Sequence, residues 1–147
     1  MYLCLDCFEV FRDDVIKLEK GLYPEEYVPC PLMSCRGENV VQVDEMILPV
    51  IRTLNMKGYR TEYSCSDHAY ESLIGTYICF EEIHDFKDLP KGYKLEIHND
   101  KTIIRDCYDS LNKSTTPWND GIKRQAAIMN SIKGLMQWAD NLEKLEE

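Results

Sequence analysis

Apolar positions along this chain change their period several times, and each change marks an element. Tyr2-Leu3-Cys4 and Glu9-Val10-Phe11-Arg12 read as two short strands around a turn at Cys4-Leu5-Asp6-Cys7. The stretch from Gly21 to Pro31 holds Pro24, Pro29 and Pro31 and reads as loop. Val40-Val41-Gln42-Val43 is a strand. Asp44 then offers a helix N-cap, and Met46, Ile47, Val50, Ile51 and Leu54 recur at helical spacing up to a stop at Gly58. Pro49 interrupts that run, so either its first turn is separate or the helix kinks there.

Beyond Gly58 the period shortens to two. Tyr59 to Ser64 reads as a strand, followed by a loop at Cys65-Ser66-Asp67-His68. Thr76 to Glu82 alternates, with Ile78 and Phe80 on one face. Tyr93 to His98 and Thr102 to Tyr108 form a hairpin about Asn99-Asp100. A long helix then starts near Asn119 or Asp120 and runs close to the end. Ile122, Ala126, Met129, Ile132, Met136 and Ala139 make one stripe on it, which Ile128, Leu135, Trp138, Leu142 and Leu145 widen. The expected class is α+β: a mostly antiparallel sheet with packed helices, including a long C-terminal one.

Composition changes this picture in one place, the cysteines. Cys4 and Cys7 form a Cys-x2-Cys turn. After 22 further residues comes Cys30-x4-Cys35, with Pro29 and Pro31 stiffening the approach to Cys30. Two close thiol pairs in a short polar segment are the pattern of a tetrahedral Zn²⁺ site, with thiolates at ~2.3 Å. Four such ligands fill the coordination shell, so the zinc is structural and not catalytic. Residues 1–38 have too few large apolar side chains to fold alone, and metal binding supplies the missing free energy. They are expected to form a four-cysteine zinc ribbon, with residues 39–147 as an α+β domain. Gly37, two residues past Cys35, is the expected site of a positive φ in the second turn. The N-terminus lacks a basic leader and turns acidic at once, and no apolar run approaches the ~20 residues of a membrane span. The expected compartment is the cytoplasm, where seven cysteines are not a disulfide scaffold.

Charge weighs against one class of function, direct nucleic-acid binding. The net charge is −9, and both parts carry it: −4 over residues 1–43 and −5 over residues 44–147. Lys123-Arg124, Arg52, Lys57 and Arg60 are the densest cations, and they do not make a patch that would hold a phosphate backbone.

A second piece of candidate chemistry is the Cys65-Ser66-Asp67-His68 loop. Cys65 and His68 could act as nucleophile and base. Their spacing could be half of a second metal site completed by Cys79, His84 or His98. Asp67 could orient His68 for proton transfer. Against these stands a plain reading, in which Cys65 ends a strand, Ser66 caps the next turn and His68 faces solvent. Leu54 to His68, with Lys57-Gly58-Tyr59 in a turn, together with Tyr77 to Glu82, resembles a family of uncharacterised proteins of firmicute bacteria and their phages. In that family a Cys-Ser-Gly-His loop follows such a turn and strand, and a zinc ribbon is often fused in front. The loop is also similar to the Cys-Ser-Gly-Arg loop of wybutosine-synthesising tRNA methyltransferases. Asp67 stands where both have Gly, and its carboxylate would oppose a bound phosphate.

Three functions follow as expectations. The first is an acidic, zinc-binding interaction protein of phage or mobile-element type. It would inhibit a basic, nucleic-acid-handling machine such as a defence nuclease by protein contact, with no direct nucleic-acid binding and no membrane. Glu25, Glu26, Glu81, Glu82, Asp85 and Asp88 would supply the charge, and Tyr70, Trp118 or Trp138 an anchor. The alternatives are a small enzyme and a nucleotide- or RNA-binding protein using the Cys65 loop.

Overall fold

The computed structural model describes residues 1–22, 28–66, 75–106 and 117–146. Its strands β1 (Tyr2–Cys4), β2 (Val10–Phe11) and β3 (Val40–Gln42) form one antiparallel sheet in the order β2-β1-β3. Strands β4 (Thr61–Cys65), β5 (Thr76–Phe80), β6 (Lys94–His98) and β7 (Lys101–Asp106) form a second antiparallel sheet in the order β4-β5-β7-β6. Three helices complete the chain: α1 (Asp13–Leu22), α2 (Leu48–Met56) and α3 (Pro117–Asn141). The α+β class is as the pattern implies. The strand at Val40 pairs with β1, so it completes the sheet that carries the first cysteines.

The second sheet buries one face, and alternation decides which. Thr76, Ile78 and Phe80 of β5 and Thr102 and Ile104 of β7 are all fully enclosed. Ile78, Phe80 and Ile104 pack in one cluster with Val50, Ile51 and Leu54 of α2 and with Leu135, Trp138 and Ala139 of α3. Leu3 and Leu5 join the same cluster, so one core runs from the first sheet into the second. The β6–β7 hairpin turns on Asn99 and Asp100, both with positive φ (50° and 61°), the conformation a two-residue turn requires.

Three expectations are corrected. Helix α1 occupies a stretch to which the pattern assigns nothing. Asp13 and Asp14 favour its N-terminus, but among its described side chains Ile16 is the one enclosed while Leu18 stays 75% exposed. Asp44 does not cap α2. The segment 45–47 is a separate turn, whose Asp44 carbonyl accepts from Ile47 and Leu48 N–H. Pro49 then falls in the first turn of α2, where its missing N–H costs nothing. On α3 the buried face is Ile128, Ser131, Leu135, Trp138 and Ala139, whereas Ile122 and Met129 are 50% and 57% exposed. Ser131 interrupts the apolar reading because it is there to bond: its hydroxyl lies 2.6 Å from Tyr93 Oη and donates to Asp106 Oδ2 at 3.0 Å.

Candidate metal centre

Strand β1 ends at Cys4, and the turn after it returns Cys7 beside it, closed by Phe8 N–H donating to the Cys4 carbonyl at 2.8 Å. The second turn repeats the device. Cys35 and Arg36 N–H donate to the Leu32 carbonyl, and Cys30 N–H donates to the Gly37 carbonyl at 2.8 Å. In both turns the residue after the second cysteine takes a left-handed backbone: Phe8 at φ 63° and Arg36 at φ 50°. This corrects the expectation for Gly37, which is not among the positive-φ residues. Gly37 is required for space. A Cβ there would stand 2.1 Å from Asp6 Oδ2, and the Asp6 carboxylate is held by Asn39, from its side-chain amide at 2.9 Å and its backbone N–H at 3.2 Å. Asp6 thus ties the first turn to the exit of the second.

The two turns bring four sulfurs together across the sequence pairs. Cys4 Sγ lies 3.8 Å from Cys35 Sγ, and Cys7 Sγ lies 3.7 Å from Cys30 Sγ. All four lie within 4.8 Å of one another. A disulfide needs ~2.05 Å, and all four are free thiols. A tetrahedron of thiolates with ~2.3 Å bonds has edges of about 3.8 Å, so the donors present fit a soft metal ion. The surrounding N–H groups favour sulfur as an anion. Gly37 N–H points at Cys35 Sγ (3.4 Å) and lowers that thiol's pKa. Burial pushes the Cys4 and Cys30 thiols up, with backbone hydrogen bonds from Cys7 and Asp6, and from Leu32, acting against it. Enclosed thiols that resist ionising in an apolar setting need a cation to hold them as thiolates.

Arg36 Nη1 donates to the Cys30 carbonyl at 3.2 Å, and two of the cations that the sequence groups together are also occupied. Arg52 of α2 donates to the Phe8 carbonyl at 2.7 Å and props the first turn. Lys57 Nζ donates to the carbonyls of Ala139, Asp140 and Leu142 at 2.6–2.9 Å, placing an ammonium on the C-terminal end of α3. Gly58 turns the chain at φ 93°, Tyr59 Oη donates to the Glu143 carbonyl, and Leu145 N–H returns to the Lys57 carbonyl. The Lys57-Gly58-Tyr59 turn is therefore a clamp on the end of α3.

The Cys65 loop is described in part. Cys65 ends β4 opposite Tyr77, half-buried. Ser66 is enclosed and committed: its N–H and hydroxyl face Asp44 Oδ2 at 3.3 and 3.4 Å, and its carbonyl accepts from Thr76 Oγ1 at 3.1 Å. Asp67 and His68 lie outside the described residues, as do Tyr70, Glu25 and Glu26. Cys79 is buried in β5, with its thiol pushed up by burial. His84 lies among aromatic rings, 5.5 Å from Phe80, and His98 is exposed on the edge strand β6. Among the described residues, Cys4, Cys7, Cys30 and Cys35 are the one group of three or more possible ligands brought together.

Compared with family models, with curated proteins and with solved structures, the chain shows no match in any of the three. Among the described residues no helix is long and apolar enough to cross a membrane.

Proposed function

We propose that the chain is an acidic interaction protein built on a zinc ribbon, and that it acts by contact with a basic, nucleic-acid-handling protein which it blocks. The observation that carries this reading is the use made of its cations. Arg52 and Lys57, two of the few that the sequence groups together, are spent on internal carbonyls, while Glu81, Glu82, Asp85 and Asp88 are exposed. A surface of net charge −9 so arranged attracts lysine and arginine and repels phosphate. Zn²⁺ is the ion this donor set suits best, since four thiolates at tetrahedral separations select it over harder cations. It would be held by Cys4, Cys7, Cys30 and Cys35 as a structural ion, in a reducing compartment such as the cytoplasm. The proposal is tested by pull-down from a bacterial lysate with mass spectrometry. Recovery of a nucleic-acid enzyme whose activity falls on binding supports it; co-purification of RNA or a nucleotide in place of a protein rejects it.

A further inference from the structure

A pocket remote from the cysteines is walled by rings. Tyr59, His84, Phe86 and Trp138 line a cavity of about 440 Å³ at the end of α3, a size that admits a whole side chain. His84 stands 5.2 Å from the Tyr59 ring and 5.5 Å from that of Phe86, and Phe86 meets Trp138 edge-on at 5.0 Å. The walls are fixed before anything binds. Tyr59 Oη donates to the Glu143 carbonyl at 2.8 Å, and Trp138 Nε1 donates to the Asp88 carbonyl at 2.7 Å.

Two further features indicate what the pocket takes. His84 Nε2 is buried without a hydrogen-bond partner among the described residues. Burial lowers the pKa of this imidazole, which favours its neutral form, and a neutral ring keeps one nitrogen as an acceptor. A neutral imidazole adds no positive charge to the pocket wall. Three acidic residues, Asp85, Asp88 and Glu143, line the pocket against one basic residue, Lys87. An anion would be repelled there, and a purely apolar anchor would strip water from the acids without replacing it. A guanidinium meets every requirement: it is cationic, flat enough to stack on ring faces, weakly hydrated and rich in donors.

We infer that the pocket of Tyr59, His84, Phe86 and Trp138, rimmed by Asp85, Asp88 and Glu143, is the socket for an arginine side chain of the protein partner. The inference rests on the protein-contact reading above and names where that contact is centred. An arginine in such a socket is the kind of desolvated anchor that slows dissociation.

The test is an NMR titration of the zinc-loaded full chain with an acetylated Gly-Arg-Gly amide, and with the same peptide carrying neutral citrulline. Saturable shifts of the Trp138 indole N–H and the Phe86 amide are expected with the arginine peptide and not with citrulline. Asp85→Asn with Asp88→Asn should weaken binding about three- to tenfold. That variant keeps the Asp88 carbonyl, to which Trp138 bonds, so the pocket stays formed. Equal response to citrulline, or no saturable shift, overturns the socket. The captured partner separates the two readings. If it binds the double variant as tightly as the parent chain, the socket is wrong and protein contact stands. If the peptide binds as described and no protein is captured, the guanidinium site stands and the protein-contact reading falls.

Discussion

Single residues in this chain hold the two cysteine turns in register, and Gly37 is the tightest of them. Replacing it by alanine sets a methyl group against Asp6, whose Cβ and Cγ are also within 3 Å of the new atom, so rotating the carboxylate does not relieve the clash. Gly37→Ala should cost about 1–3 kcal/mol and raise zinc loss to a chelator, read from metal release against time. The metal itself gives a sharper expectation: one Zn²⁺ per chain by elemental analysis, lost in Cys4→Ser and Cys30→Ser. A stoichiometry near zero in protein purified without chelator rejects the site. Lys57 is the third case. Its ammonium meets three carbonyls that end α3, and Lys57→Met keeps much of the stem while removing them. A loss of about 1–2 kcal/mol is expected from the charge–helix-end term, seen as a lower urea midpoint. An unchanged midpoint would mean that water replaces the lysine at no cost.

Elements were legible in the sequence where one physical signal acted alone. The β6–β7 hairpin was visible because Asn99-Asp100 tolerates positive φ and the flanking residues alternate. Strand β5 was visible because Ile78 and Phe80 share a face. The four-cysteine site was visible from spacing, though not its crossing pairs, Cys4 with Cys35 and Cys7 with Cys30, which depend on how the turns face each other. Helix α1 is hidden because, among its described side chains, only Ile16 is enclosed, and the buried face of α3 is disguised because Ser131 lies at its centre. The aromatic pocket is hidden for a different reason: Tyr59, the His84–Phe86 stretch and Trp138 come from three separate segments, and no spacing rule joins them. That pocket carries a pH prediction. Burial lowers the His84 pKa from its ordinary 6.5, with Glu82 pulling the other way. Below about pH 6.5 the unfolded chain takes up a proton that the folded chain resists. Stability should therefore fall as pH drops through 6.5 towards the lower folded value. His84→Phe should flatten that slope, measured by urea unfolding between pH 5 and pH 7.5 with bound zinc followed separately. An identical slope in the variant would move the effect to another group.

At the scale of the whole molecule, one core joins both sheets, and charge is left to the outside. Leu3 and Leu5 belong to the same buried cluster as Tyr59, Trp138 and Ala139, so the first sheet and the wall of the aromatic pocket share one core. Acidic side chains at Glu81, Glu82, Asp85 and Asp88 follow directly after β5 and stand exposed on the stretch that builds the pocket wall. A partner drawn by that field should arrive quickly and be held by the socket, because long-range charge acts on the encounter while desolvated contacts act on departure. Raising salt from ~50 mM to ~300 mM shortens the Debye length from roughly 14 Å to roughly 6 Å. Affinity for the captured partner should fall by about tenfold or more, mostly through a slower association rate. Glu81→Gln with Glu82→Gln should reduce that salt dependence while leaving the dissociation rate close to the parent value. Loss concentrated in dissociation would place these two acids inside the contact. Affinity indifferent to salt, in surface plasmon resonance across that range, would reject electrostatic attraction as the basis of recognition.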